Sequence, residues 1–72
     1  MSAPKYWNGK EKVYEEIFRS PFQKETERDA LRTLEEIRRS HPAYSGWVEL
    51  DGYAEQLSNG KWIAVRHHAK YQ

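Results

Sequence analysis

The residues best suited to contact another molecule are concentrated at the end of this 72-residue chain. Residues 60–72 contain three basic residues, two histidines and a tryptophan but no acidic residue, whereas residues 1–59 hold nine basic and eleven acidic residues. Such cations contact phosphates, and an exposed tryptophan stacks on a base or anchors a protein partner. The candidate binding residues, including one on the adjoining strand, are Tyr53, Lys61, Trp62, Arg66, His67 and Lys70.

The three histidines are the only imidazoles of the chain, so a metal site or a general base would have to start from them. His67 and His68 are neighbours in a predicted strand, where adjacent side chains point to opposite faces, so they cannot share one ion. His41 follows a predicted helix, whose dipole favours the protonated imidazole. Because the chain also lacks cysteine, we expect no metal site.

Enzymatic chemistry has little support in the sequence. The four glycines are isolated at positions 9, 46, 52 and 60, so the chain has no glycine-rich phosphate loop. No serine lies in the pattern of a nucleophile elbow, and the glutamates of the middle region are typical of the solvated side of a helix. A chain of this length also has little room for an enclosed pocket. We therefore predict a protein that is not an enzyme and uses no cofactor.

Length and composition predict a single small domain over residues 1–72. Three Trp, five Tyr and two Phe indicate a core built on aromatic side chains. Twelve basic and eleven acidic residues give a net charge of +1, so no overall field attracts nucleic acid or an acidic membrane. No apolar run is long enough for a membrane span or a signal peptide. Together with the absence of cysteine, this predicts a cytoplasmic protein without a membrane partner.

The clearest predicted element is a helix over residues 21–39. Ser20 and Pro21 are residue types expected at an N-cap and a first helical position, and Gln23 completes a capping pattern. Acidic residues dominate the early turns and two arginines close the last one, as the helix dipole favours. The apolar residues share one stripe, namely Ala30, Leu31, Leu34 and Ile37.

The stretch before this helix is ambiguous. Residues 1–7 are expected to form a flexible lead-in. Asn8 and Glu11 have the types and spacing of a capping box, which favours a short first helix over residues 10–19. The Val-Tyr and Ile-Phe pairs of this stretch are also good strand residues, so a strand is the alternative.

The final third of the chain changes to a β pattern. Asp51-Gly52 and Asn59-Gly60 are hairpin signals, because both dipeptides supply the positive φ angles of a type I′ turn. Two turns would give a three-stranded antiparallel meander over about residues 46–68, and the alternative is one long hairpin with a bulge at Gly52. The predicted fold class is α+β, with one or two helices packed on this C-terminal sheet.

The last predicted strand presents two different faces. Ile63 and Val65 form the better core face and are expected to pack on the helix stripe. Trp62 and Arg66 would then point outward with the other candidate binding residues. The alternative places Trp62 in the core beside Tyr53.

The leading functional hypothesis is a non-catalytic binding or regulatory protein that contacts a protein partner through this aromatic and basic sheet face. The alternative is a small nucleic-acid-binding protein that uses the C-terminal strand. The stretch from Gly52 to Arg66 faintly resembles the Asn-Gly-Lys-Trp hairpin of arm-type DNA-binding domains in phage integrases, which implies DNA as the alternative partner. A homodimer is compatible with either hypothesis, because an edge strand can pair with a copy of itself.

Overall fold

A computed structural model describes residues 5–72. One helix packs on a four-stranded antiparallel sheet whose strand order is β1-β2-β4-β3. In chain order the elements are β1 (Tyr6–Trp7), β2 (Lys10–Arg19), α1 (Glu27–Ser40), β3 (Trp47–Gln56) and β4 (Trp62–Tyr71). The α+β class and the C-terminal hairpin are confirmed. Within residues 5–72 no helix is long and apolar enough to cross a membrane.

The hairpin of β3 and β4 has one turn, not two. Gly60 adopts a φ of +88°, and the Leu57 amide donates to the Lys61 carbonyl at 2.7 Å, so the Asn59-Gly60 turn is confirmed. Asp51-Gly52 makes no turn and lies inside β3, where the register with β4 shifts between Glu49 and Asp51. The long hairpin with a bulge is therefore the alternative that the structure adopts.

The predicted first helix over residues 10–19 is wrong, because this stretch is strand β2. Asn8 is not an N-cap: Asn8 and Gly9 have φ angles of 53° and 78° and form the two-residue turn that joins β1 to β2. Pairing with β4 satisfies the backbone groups on the inner edge of β2, whereas a helix of ten residues is marginal by itself. Of the expected lead-in, residues 1–4 lie outside the described residues, and Tyr6–Trp7 pairs with β2.

Helix α1 begins six residues later than its pattern predicts. The N-cap is Thr26, whose Oγ1 accepts a hydrogen bond from the Asp29 amide at 3.1 Å. Ser20 instead ends β2, because its amide donates to the Ala64 carbonyl at 2.9 Å and its Oγ accepts from the Phe22 amide. The residues between Ser20 and Thr26 run alongside the sheet, where Lys24 forms an isolated β-bridge with Trp62.

The prediction that Ile63 and Val65 face the helix, and that Arg66 points outward, is wrong. Gly52 lies directly below α1, and its pairing partner Arg66 shares this side of the sheet. Ala64 lies on the same side and is 1% exposed. Small residues below the helix let it approach the sheet closely, which is why the bulkier β-branched pair occupies the opposite face.

That opposite face, called the open face below, is covered by side chains of the sheet itself. Val65 is fully buried there although no helix lies over it. Arg19 on β2 hydrogen-bonds Glu55 on β3, so this ion pair spans β4 beside Val65. At the end of the same strand the ring of Trp7 lies 6.0 Å from that of Tyr71. Long polar and aromatic side chains therefore cover the open face in place of a second layer of helices or strands.

We predict that Gly52→Ala destabilises the fold by about 1–3 kcal/mol through overpacking. An added Cβ would collide with Nη2 of Arg38, which Glu49 holds in place, and would lie 3.0 Å from Leu34 Cδ2, so these two side chains would have to move. Urea unfolding monitored by circular dichroism measures the change. Gly60→Ala is the control, since its Cβ meets nothing within 4 Å and its cost of about 1 kcal/mol comes only from the positive φ. Shifted NMR signals of the Leu34 methyl groups are expected in Gly52→Ala alone. If that variant is as stable as the wild type, the close approach of α1 to Gly52 is contradicted.

Candidate functional site

The sequence-predicted binding residues do not form one surface. Tyr53 and His67 lie on the open face, because each forms a cross-strand pair with a residue whose side chain lies on that face. Trp62, Arg66 and Lys70 lie on the side of α1. Trp62 is partly buried, which is intermediate between the exposed and the core alternatives. Tyr53 remains the exposed aromatic residue of the predicted set, at 38%.

Most of the predicted cations are engaged with acids. Arg66 is only 5% exposed, and its Nε donates to Glu49 at 2.7 Å. Lys61 Nζ, in the hairpin turn, lies 3.3 Å from a Glu25 carboxylate oxygen. His67 Nε2 lies 3.1 Å from a carboxylate oxygen of Glu15 on β2. The basic segment seen in the sequence is thus divided among separate ion pairs.

The carboxylate of Glu49 joins the helix to the sheet. Arg38 on α1 approaches it with Nε at 3.0 Å and Nη2 at 2.5 Å, and Arg66 on β4 approaches from the other side. Arg66 Nη1 also donates to the His41 carbonyl at 2.6 Å, next to the end of the helix. Arg38 further contacts Glu35 at 2.5 Å. These ionic hydrogen bonds fix the C-terminal half of α1 over β3 and β4.

Electrostatics match this geometry. Hydrogen bonds from Arg38 lower the pKa of Glu49 below its ordinary value; burial opposes this effect and Arg66 adds to it. The same hydrogen bond raises the pKa of Arg38. Both groups therefore stay charged at neutral pH, and the cluster is an ion-pair network that holds its shape.

Helix α1 lies on one side of the sheet, over β3 and β4, and therefore leaves that side of β2 uncovered. Tyr14 and Phe18, which share this side with Arg66, are 65% and 44% exposed. Phe22, on the chain leading to the helix, is 65% exposed, and Tyr44 after the helix is 82% exposed. The result is an apolar channel between α1 and β2, called the β2 groove below and formed by Phe18, Phe22, Ile37, Tyr44 and Trp47.

One part of the β2 groove is a cavity of about 500 Å³ between Phe18, the end of α1 and the loop that follows it. His68 lies in its wall, with the ring of Trp47 set edge-on at 6.5 Å. The His68 Nε2 atom is buried and has no hydrogen-bond partner within residues 5–72. Burial, and then the charge of Arg66, lowers the pKa of His68, so its ring is neutral at pH 7. The cavity can accept an apolar side chain.

No metal centre accompanies the groove. In the part of the chain that the structure describes, no three His, Asp or Glu side chains come close enough to hold an ion. His67 and His68 lie in consecutive positions of β4 and face opposite sides of the sheet, as their spacing predicts. His41 follows the helix and lines the cavity.

Sequence reasoning missed the residues of the β2 groove. The sequence pattern places Phe18 in a short first helix and Phe22 in a helix that begins only at Glu27. The available signal was the Asn8-Gly9 dipeptide, which marks a hairpin and would have made residues 10–19 a strand with one aromatic face.

Comparisons with protein-family models, with curated proteins and with solved structures find no match for this chain.

We predict that Glu49→Gln lowers the free energy of unfolding by about 3 kcal/mol at pH 7, because Arg66 is left buried without its counter-charge. The pKa of Glu49 is lowered in the folded state, so its contribution is complete above the ordinary carboxyl range. That contribution is lost as the pH falls from the ordinary carboxyl range through the lowered pKa. Urea unfolding at several pH values measures both effects.

The control is Glu35→Gln, which removes the exposed partner of the same Arg38 and should cost under about 0.5 kcal/mol. If Glu49→Gln costs no more than this control, or keeps the acid sensitivity of the wild type, the carboxylate does not hold the two layers together.

Proposed function

We propose that this protein is a non-catalytic binding module whose β2 groove holds an amphipathic helix of a partner protein. The observation that carries the proposal is that one side of the sheet is only half covered. Helix α1 packs on β3 and β4, whereas Tyr14 and Phe18 of β2 remain exposed beside it. Grouped exposed aromatic residues of this kind mark interaction surfaces.

A helix suits the dimensions of the groove. An α-helix with its side chains is about 10 Å wide, which equals about two strands at a spacing of roughly 4.8 Å. A second helix beside α1 would therefore lie over β2 and its free edge. Its apolar positions would contact Phe18 on the floor and Ile37 on the wall, in the pattern i, i+3, i+4 and i+7.

The polar rim indicates the charge of this partner. Glu16 on β2 and Glu36 on α1 are exposed at the two sides of the β2 groove. Basic residues beside the apolar stripe of the bound helix would pair with them. Burying the aromatic floor provides the affinity, at roughly 25 cal/mol per Å² of apolar surface before the cost of association.

A protein partner has better support than a nucleic acid. Arg66 is buried against Glu49, and Lys61 is paired with Glu25, so few cations of the last strand are free to bind phosphate. The exposed aromatic residues of the β2 groove lie beside acidic side chains, which repel a phosphate backbone. A cytoplasmic location, expected from the sequence, stays a prediction.

We predict that a displayed library of 16-residue helical peptides yields ligands that lose at least tenfold in affinity on Phe18→Arg. A charged side chain there would interrupt the apolar floor, and fluorescence anisotropy with the selected peptides measures the loss. The matched control is Leu31→Arg, because Leu31 is similarly exposed, at 40% against 44%, and does not line the groove.

Equal binding to the wild type and both variants would contradict the proposed site. The same labelled protein is titrated with a short DNA duplex and a single strand at low and physiological salt. Salt-sensitive amide shifts centred on Lys61 and Lys70, without selected peptides, would favour the nucleic-acid alternative.

A further inference from the structure

The outer edge of β2 presents backbone groups without a partner strand. The amide of Ser20 points to β4, where it donates to the Ala64 carbonyl. Successive residues of a strand alternate in direction, so the N–H and C=O groups of Arg19, Ile17 and Glu15 point away from β4. Within residues 5–72 none of these groups makes a backbone hydrogen bond, since β1 pairs only with Lys10 and Glu11.

This edge lacks two of the usual protections against strand pairing, a proline and a bulge, and its charged residues Glu15 and Arg19 are of opposite sign. From Tyr14 to Arg19 it has no proline and follows an unbroken register with β4, and the bulge of β2 lies earlier, at Val13. Ile17 is 55% exposed at its centre. The net charge of +1 adds little long-range repulsion between two copies of the chain.

We propose that this edge binds a second copy of the chain, with the two β2 strands antiparallel across a twofold axis at Ile17. Ile17 then lies opposite Ile17 of the second copy, and Glu15 lies opposite Arg19 of the second copy. Each of the three outward residues exchanges both backbone hydrogen bonds with its counterpart, which makes six bonds in total. The paired strands join two sheets into one continuous sheet.

Charge selects this register among those that the backbone allows. In the register that pairs Glu15 with Glu15 of the second copy, two carboxylates lie opposite each other. In the register that pairs Glu15 with Ile17 of the second copy, the two Glu16 carboxylates lie opposite each other. Pairing Ile17 with Arg19 moves Glu15 opposite Pro21, which has no amide to donate. Only the register centred on Ile17 sets opposite charges against each other on both sides of the axis.

The side chains can make these new contacts without losing their present ones. Arg19 bonds Glu55 within its own copy, and a guanidinium has five donors, so it can also reach a second carboxylate. Glu15 lies near Lys12 and His67 and is exposed. The β2 groove lies on the side of Phe18, so dimerisation leaves its aromatic floor accessible.

Sedimentation equilibrium of the intact chain tests the proposal, together with two charge variants. Glu15→Arg sets like charges opposite Arg19 of the second copy. The double variant Arg19→Glu with Glu55→Arg keeps the pair inside each copy but sets like charges opposite Glu15. We expect a wild-type dimer, a dissociation constant at least tenfold weaker in each variant, and recovery of a heterodimer when the two variants are mixed.

Circular dichroism of each variant verifies that the monomer is folded. A wild-type chain that stays monomeric at millimolar concentration would overturn the proposal. So would variants that dimerise as well alone as the wild type does. A wild-type dimer whose folded variants fail to recover on mixing would show that another surface mediates association.

Discussion

The carboxylate of Glu49 is the interaction on which the arrangement of the layers depends. It binds Arg38 of the helix and Arg66 of the central strand at once, and Arg66 also binds the carbonyl of His41 at the helix end. Gly52 and Ala64 lie below α1 and let the helix approach the sheet closely. A non-directional core of this size would let the helix slide, whereas ionic hydrogen bonds fix its position.

That position determines which part of the sheet is left uncovered. An α-helix covers about two strands, and the ion pairs hold α1 over β3 and β4. The side of β2 that bears Phe18 therefore lies outside the helix layer. The aromatic surface is exposed because the ion pairs hold the helix over the other two strands. A helix held in another position would leave a different part of the sheet uncovered.

Local patterns predicted the elements that local interactions decide. The stripe containing Ala30 and Leu34 is a helix, and Asn59-Gly60 is a hairpin turn, because propensity and turn geometry act within a few residues. Residues 10–19 form a strand by pairing with a segment some fifty positions away, and the local sequence signals this only through the Asn8-Gly9 turn. The prediction that Arg66 points outward is wrong for the same reason. An arginine is expected at the surface unless the sequence reveals its distant partner, which here is Glu49.

Strand β2 is the element whose surroundings are incomplete in the single chain. One side is bare beside the helix, and within residues 5–72 its outer edge has no paired strand from Val13 onward, so that only its inner edge is paired with β4. The other long strands differ: β4 is central, and β3, which also has one edge without a partner strand among these residues, lies under α1. Since exposed aromatic surface and unpaired edge groups both favour association, the two proposed contacts address different parts of the same strand. In the proposed dimer the two β2 strands lie side by side between the two α1 helices, which leaves room for one partner helix over both strands, because a helix covers about two strands.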